Sequence, residues 1–206
     1  MAAQKRKKRK IKILRIILLV LVLFLIIGCG SALGYLLGIV KNLPEWSPED
    51  LAVESTSFIY DANGDEVVKL HTAENRTPVE LSAMPIYLTD AFIATEDIRF
   101  YEHPGVDVRR IFGAFIADVR NRSFSEGAST ITMQLVRNAI LEDQEKRLER
   151  KIKEALLAIQ VERHYTKDEI LSFYLNEIYF GHGAHGVQAA AQHYFGKDVG
   201  DLTLGE

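Results

Sequence analysis

With 206 residues the chain has room for one globular domain plus a short appendage, and 48% apolar residues suffice for a core. Its formal charge of −3 hides a division: residues 1–15 carry eight cations and no acid, leaving 17 cations against 28 acids for the rest, a formal −11. A body that acidic is excluded as a wrapper of nucleic acid, so the basic head needs another partner.

That partner is indicated at once. From Ile16 to Val40 runs "IILLVLVLFLIIGCGSALGYLLGIV", with no charged residue in 25 positions. As a helix it reaches roughly 37 Å, against a hydrocarbon core of roughly 30 Å. The cations before it predict a cytoplasmic N-terminus and an outer side for everything after Lys41. Residues 1–15 are therefore read as a basic cytoplasmic tail and 16–40 as a single transmembrane helix in the cytoplasmic membrane. A cleaved signal peptide fits less well, because its apolar stretch would be about 7–15 residues. "LIIGC" before Cys29 is similar to a lipoprotein processing site, but the apolar run continues for eleven positions beyond it. Cys29 is the only cysteine, so no disulfide staples the chain.

Residues 41–56, with two prolines and mixed polarity, read as a linker, and 57–206 as the outer domain. In "SFIYDANGDEVVKL", Asn63-Gly64 between β-branched and aromatic residues predicts a tight hairpin. From about Met84 the pattern is helical. Pro85 suits a first helical turn. Val108, Ile111, Phe112, Phe115 and Val119 form one stripe, and Leu148, Ile152, Ala155, Leu156 and Ile159 another. Thr166 and Glu169 predict a capping box, Gly181 a helix end, and Gly196 the stop of a last small-residue helix. The domain is thus mainly α with a small β-hairpin.

Two carboxylates and one hydroxyl cluster stand out. In "ATEDIRFYEHPG", Glu96, Asp97, Glu102 and His103 crowd two aromatics; this is either chemistry or an acid near a helix end followed by a turn. Glu154 lies about 140° from the centre of its helix stripe, yet Leu157, Ala158 and Val161 share its side. Either it is buried and needs a cation, or it bridges to Arg150 and Lys151 on a solvated face. In "EGASTITMQLVRN", Gly127, Ser129, Thr130 and Thr132 crowd a helix start, whose free N–H groups suit an anion; capping by Ser129 or Thr130 is the plainer account. Gln134, Arg137 and Asn138 follow at helical spacing. HExxH, CxxC, GxxxxGK[ST] and GxSxG do not occur.

These pieces resemble, in order, the five motifs of the peptidoglycan glycosyltransferases, the membrane-proximal domain of class A penicillin-binding proteins and of monofunctional transglycosylases. "EDIRFYEHPG" is similar to the first motif, "EGASTITMQLVRN" to the second, "RKIKEALLA" to the third, "ILSFYLNEIYFG" to the fourth and "HGVQAAAQHYFGK" to the fifth. The resemblance spans roughly Ser57 to the C-terminus. It implies a lysozyme-like, mainly α fold with a region dipping into the bilayer, for which Phe112, Phe115, Ile116 and Phe124 are the candidates; core packing is the alternative for the first two. It implies polymerisation of lipid II, with Glu96 as the base on the acceptor N-acetylglucosamine 4-hydroxyl and inversion at the lipid-linked donor chain. Polyprenyl pyrophosphate leaves. Glu154 matches the family's second essential glutamate, orienting cations or helping to hold a divalent metal (Mg or Mn). Arg137, Arg150, Lys151, Ser129 and Thr130 would receive the diphosphate. Asp97, Phe100, His103, Gly127, Gln134, Tyr174 and Asn176 are further motif positions expected at the substrate site. The implied partners are lipid II, the lipid-linked glycan chain, the cytoplasmic membrane and other cell-wall synthesis proteins.

The second motif usually reads GGSTITQQ; Ala128 and Met133 depart from it, and tuning rather than loss is expected. Family members continue beyond "DLTLGE", so truncation is expected; SxxK and KTG are not present in the sequence, and monofunctional and bifunctional readings of the longer protein both stay open. A lytic transglycosylase would not need the hydroxyl-and-cation cluster. A non-catalytic scaffold would be indifferent to Glu96→Gln.

Overall fold

The computed structural model describes residues 2–206 except 52–56, 64–65, 71–74, 122–126 and 142–146; side chains are further left undescribed at 2–14, 57–60, 66–70, 75, 115, 118–121 and 147. The chain forms two compact units, Met1–Leu43 and Pro44–Glu206. The first is one helix, α1 (Ala2–Lys41), whose Arg15–Lys41 stretch is long and apolar enough to cross a membrane. The helix starts at Ala2, so the basic head shares its conformation.

The second unit is mainly helical. Its hairpin pairs β1 (Ser57–Tyr60) with β2 (Glu66–Leu70), antiparallel, with Phe58 opposite Lys69 and Ile59 opposite Val68. The connection is wider than a two-residue turn: the strands end at Tyr60 and resume at Glu66 after a register shift, and Asp61 Oδ1 accepts the Asn63 N–H at 2.8 Å. Gly64, the other half of the expected turn, lies outside the described residues. A second pairing has no signal in the sequence. It joins β3 (Asn75–Arg76) in parallel to β4 (Ala184–His185), over a hundred residues later.

Six helices follow: α2 (Ile86–Glu96), α3 (Val108–Asn121), α4 (Ile131–Ala139), α5 (Arg147–Val161), α6 (Lys167–Glu177) and α7 (Gly186–Phe195). Pro85 sits at the N-cap of α2 in extended backbone, one position before the expected first turn. Thr166 and Glu169 make the capping box of α6, and Gly196 ends α7 at φ +64°. Gly181 does not end α6. That helix stops at Glu177, and Gly181 takes φ +91° in the loop beyond it.

The core forms where α4 packs on α5 and α6. Ile131, Leu135 and Val136 meet Leu157, Ala158 and Val161, together with Ile170, Leu171, Tyr174 and Leu175, all essentially inaccessible to water. This orients α5 differently from its periodicity. The Leu148–Ile159 stripe is half-buried at most, with Leu148 67% exposed, and the face carrying Glu154, Leu157, Ala158 and Val161 is buried instead. The described members of the apolar stripe of α3 are likewise not core: Val108, Ile111 and Phe112 are exposed, as is Ile116 beside them. Core packing of Phe112 is thereby excluded; the side chains of Phe115 and Phe124 lie outside the described residues.

Candidate active site

Glu96 is the last residue of α2 and is half-buried. Its carboxylate Oε2 accepts a hydrogen bond from Gln134 Nε2 of α4 at 2.7 Å. The Gln134 Oε1 atom in turn accepts the Tyr174 hydroxyl of α6 at 3.2 Å. Three helices thus converge on one carboxylate. Burial, and then the Glu96 carboxylate, push the Tyr174 phenol well above its ordinary range, with Arg137 opposing. A neutral phenol is a hydrogen-bond donor, as this geometry requires.

Asp97, Phe100 and His103 stand behind the site rather than in it. His103 Nε2 lies 3.0 Å from both oxygens of Asp97, and Asp97 Oδ2 also accepts the Ile131 N–H at 3.1 Å. Both residues are buried. Phe100 is fully buried and lies under Lys167 Nζ, 4.4 Å from the ring centroid. None of the three side chains is open to solvent, a placement from which they can shape the site but not touch a ligand in this conformation. Asp107 caps α3 through the Arg110 N–H and pairs with Arg99 at 2.7 Å. Burial alone would raise the Asp107 carboxyl, but the bonds from Arg110 and Arg99 together hold it below the ordinary value.

The start of α4 is also not the anion site its hydroxyls suggest. Thr130 is fully buried, accepts the Met133 N–H at 3.1 Å and donates to the Gly105 carbonyl at 2.6 Å. Asp97 has taken the Ile131 N–H. Two of the free N–H groups at the helix start are therefore taken from within the protein, and Thr130 serves as its cap. Gly127 is exposed. Asn176 departs furthest from expectation. It accepts the Val79 N–H and donates to the carbonyls of Val79 and Ser172, each at 2.9 Å, so its amide clamps backbone and retains no donor for a ligand.

Cations gather at Ser129 instead. Lys151 Nζ donates to Ser129 Oγ at 2.8 Å and to Glu154 Oε2 at 2.6 Å. Glu154 is 1% exposed. Arg150 Nε lies 3.2 Å from Glu154 Oε1 but out of line for a hydrogen bond, so charge alone holds that side of the pair. The buried reading of Glu154 therefore holds: the bridges to Arg150 and Lys151 exist, but not on a solvated face. Arg150 and Lys151 remain half-exposed. A divalent cation does not fit there. Glu154 already faces two cations, and a hydroxyl completes the set, so these side chains suit an anion. The described residues hold one group with metal-type donors, Asp97, His103 and Asp107. Their oxygens are committed to His103, the Ile131 N–H, Arg99 and Arg110.

One residue joins the two halves, and sequence reasoning missed it. Arg110 Nη1 donates to the Glu96 carbonyl and reaches the Ser129 carbonyl at 3.4 Å. Its signal was the Asp-x-x-Arg spacing from the Asp107 cap. A continuous path thus runs from Glu96 through Arg110 and Ser129 to Lys151 and Glu154. Arg137, half-buried on α4 one turn after Gln134, is close enough to act on Tyr174.

Comparison with known proteins adds to this geometry. The transglycosylase family model matches residues 63–206. The chain is 48% identical over 183 residues to penicillin-binding protein 1A of Escherichia coli (strain K12), covering 88% of this chain and 21% of that protein. It is 45% identical over 174 residues to penicillin-binding protein 1F of Bacillus subtilis (strain 168), covering 84% and 24%. With penicillin-binding protein 1A/1B of the same strain the identity is 44% over 182 residues, covering 88% and 20%. The chain therefore spans about a fifth to a quarter of the length of these relatives.

Proposed function

This chain belongs to the transglycosylase family, and we propose that it is a peptidoglycan glycosyltransferase of cell-wall synthesis that polymerises lipid II. Glu96 accepts the proton of the acceptor 4-hydroxyl. That oxygen attacks the anomeric carbon of the lipid-linked donor chain with inversion, and the polyprenyl pyrophosphate departs. The observation carrying this reading is the path from a half-buried carboxylate on Gln134 to a separate cation cluster at Ser129, two unlike environments for two unlike tasks.

A positioned base contributes about 10²–10⁴ in rate, so the leaving group carries a large share of the barrier. Lys151, Arg150 and Arg137 supply the positive charge, and Glu154 holds the first two in place before the diphosphate arrives. Preorganised charge of this kind costs no rearrangement at the moment of reaction. The protein's own residues at this site are cationic and supply the neutralising charge. The apolar helix is read as a single-pass anchor in the cytoplasmic membrane, N-terminus inside and catalytic unit outside. Exposed Phe112 and Ile116 suit contact with lipid.

The test is polymerisation of labelled lipid II by the protein in detergent. Wild type yields glycan polymer; Glu96→Gln and Glu154→Gln yield almost none. Equal polymer from all three would remove this mechanism.

A further inference from the structure

Resting on Glu96 as the base, we propose that Tyr174 and Gln134 are positioning residues: the Tyr174 hydroxyl locks the Gln134 amide so that its NH₂ end, and not its carbonyl, meets Glu96. Both were expected at the substrate. The geometry commits them to each other and to the base.

A primary amide has two ends of similar shape and opposite hydrogen-bonding character. A carboxylate only accepts, so only the NH₂ end is attractive to it; the flipped amide sets a carbonyl oxygen against the charge. Glu96 itself favours the NH₂ end, and Tyr174 adds to that preference by holding the other end of the amide. Its side chain is fully buried on α6, with Phe92 packed edge-on at 6.1 Å and 80°, so the hydroxyl cannot swing away. Held neutral by burial and by the nearby carboxylate, it keeps a proton to donate. A phenol can also accept from NH₂, but with the NH₂ end engaged by Glu96 the hydroxyl donates to the carbonyl end, and the two bonds lock one orientation.

The charged and polar groups reported around Glu96 come from three elements. Gln134 of α4 holds the carboxylate, Arg110 of α3 holds the main-chain carbonyl of the same residue, and Tyr174 of α6 acts through Gln134. Arg110 fixes the backbone and Gln134 fixes the side chain. The relay therefore sets where the base stands and which oxygen remains for the acceptor proton, and it adds no contact to lipid II. A base displaced by about 1 Å loses on the order of a hundredfold in rate.

Two variants and their combination decide the matter, each measured as steady-state polymerisation of lipid II by the full chain in detergent. Tyr174→Phe removes one hydroxyl and keeps the ring; kcat falls about tenfold, the scale of one hydrogen bond. Gln134→Met keeps the volume and removes the amide; kcat falls about a hundredfold. KM stays within about twofold in both, as expected when no ground-state contact is lost. Because Tyr174 acts only through Gln134, the double variant is no slower than Gln134→Met alone. A raised KM with unchanged kcat, or losses that multiply in the double variant, would overturn the relay. Should Gln134→Met fail to fold, Tyr174→Phe still decides by its split between kcat and KM. A wild-type rate in Tyr174→Phe, beside an inactive Glu96→Gln, refutes the relay and leaves the base assignment standing. Full activity in Glu96→Gln refutes the base assignment itself.

Discussion

Asp97 does with its carboxylate what a substrate phosphate was expected to do: it occupies the N–H at the start of α4. Thr130 occupies another, so the hydroxyl-rich turn is a cap, and the proposed function assigns the anion to Lys151, Arg150 and Arg137. Of the motif residues, Glu96, Gln134, Ser129, Arg150, Lys151 and Glu154 converge along one path, whereas Phe100, His103 and Asn176 hold backbone and core. Asp107 makes the residue-scale prediction. Its folded-state carboxyl lies below the ordinary aspartate value of about 3.9. The stability it contributes is therefore full above that value and is lost as pH falls through the lower folded one. Urea unfolding of Asp107→Asn should show lower stability than wild type at pH 7, with the gap closing in strong acid. A gap that persists unchanged down to pH 2 would contradict this account of the cap.

At the scale of elements, helix α5 carries the main lesson. Its strongest apolar stripe is only half-buried, because α4 packs on the other side, where Leu157, Ala158 and Val161 lie. Periodicity reports which faces are apolar, and a helix apolar on two faces does not reveal which one its neighbours cover. Helix α3 makes the converse point, with an amphipathic stripe that faces outward. Two glycines govern how closely the elements approach. Gly105 has φ +88°, and a Cβ there would lie 2.8 Å from the Ala158 carbonyl oxygen of α5. Gly186 has φ +79°, and a Cβ there would lie 2.6 Å from the Asn176 carbonyl oxygen of α6. In each case the obstacle is backbone and cannot rotate aside. Gly105→Ala and Gly186→Ala should each cost at least about 1–3 kcal/mol of stability from the φ angle alone. Thermal melting checks this, and a melting temperature equal to wild type would show that the helices can separate at no cost.

At the scale of the whole molecule, the two units answer to different solvents. Helix α1 exposes apolar side chains from Ile16 to Leu37, whereas the second unit buries apolar residues among α4, α5 and α6. Replacing Leu23 and Leu25 by Arg should release the protein from membranes on alkaline washing. An arginine near the bilayer centre costs about 2.5–3.5 kcal/mol in insertion, and two of them offset much of the apolar gain. Retention equal to wild type would argue against a spanning helix. The long apolar helix was legible because length and uninterrupted apolarity are properties of the chain itself. So were the hairpin strands, the capping box of α6 and the glycine stop of α7. The tertiary structure alone decided that Glu154 is buried between two cations, that Asp97 and Thr130 consume the start of α4, and that Arg110 ties Glu96 to Ser129. It alone paired Asn75–Arg76 with Ala184–His185. The reason is physical: a local pattern records the affinity of a segment for water or for its near neighbours. Which donor meets which acceptor across tens of residues is settled only when the packed core brings them within 3 Å.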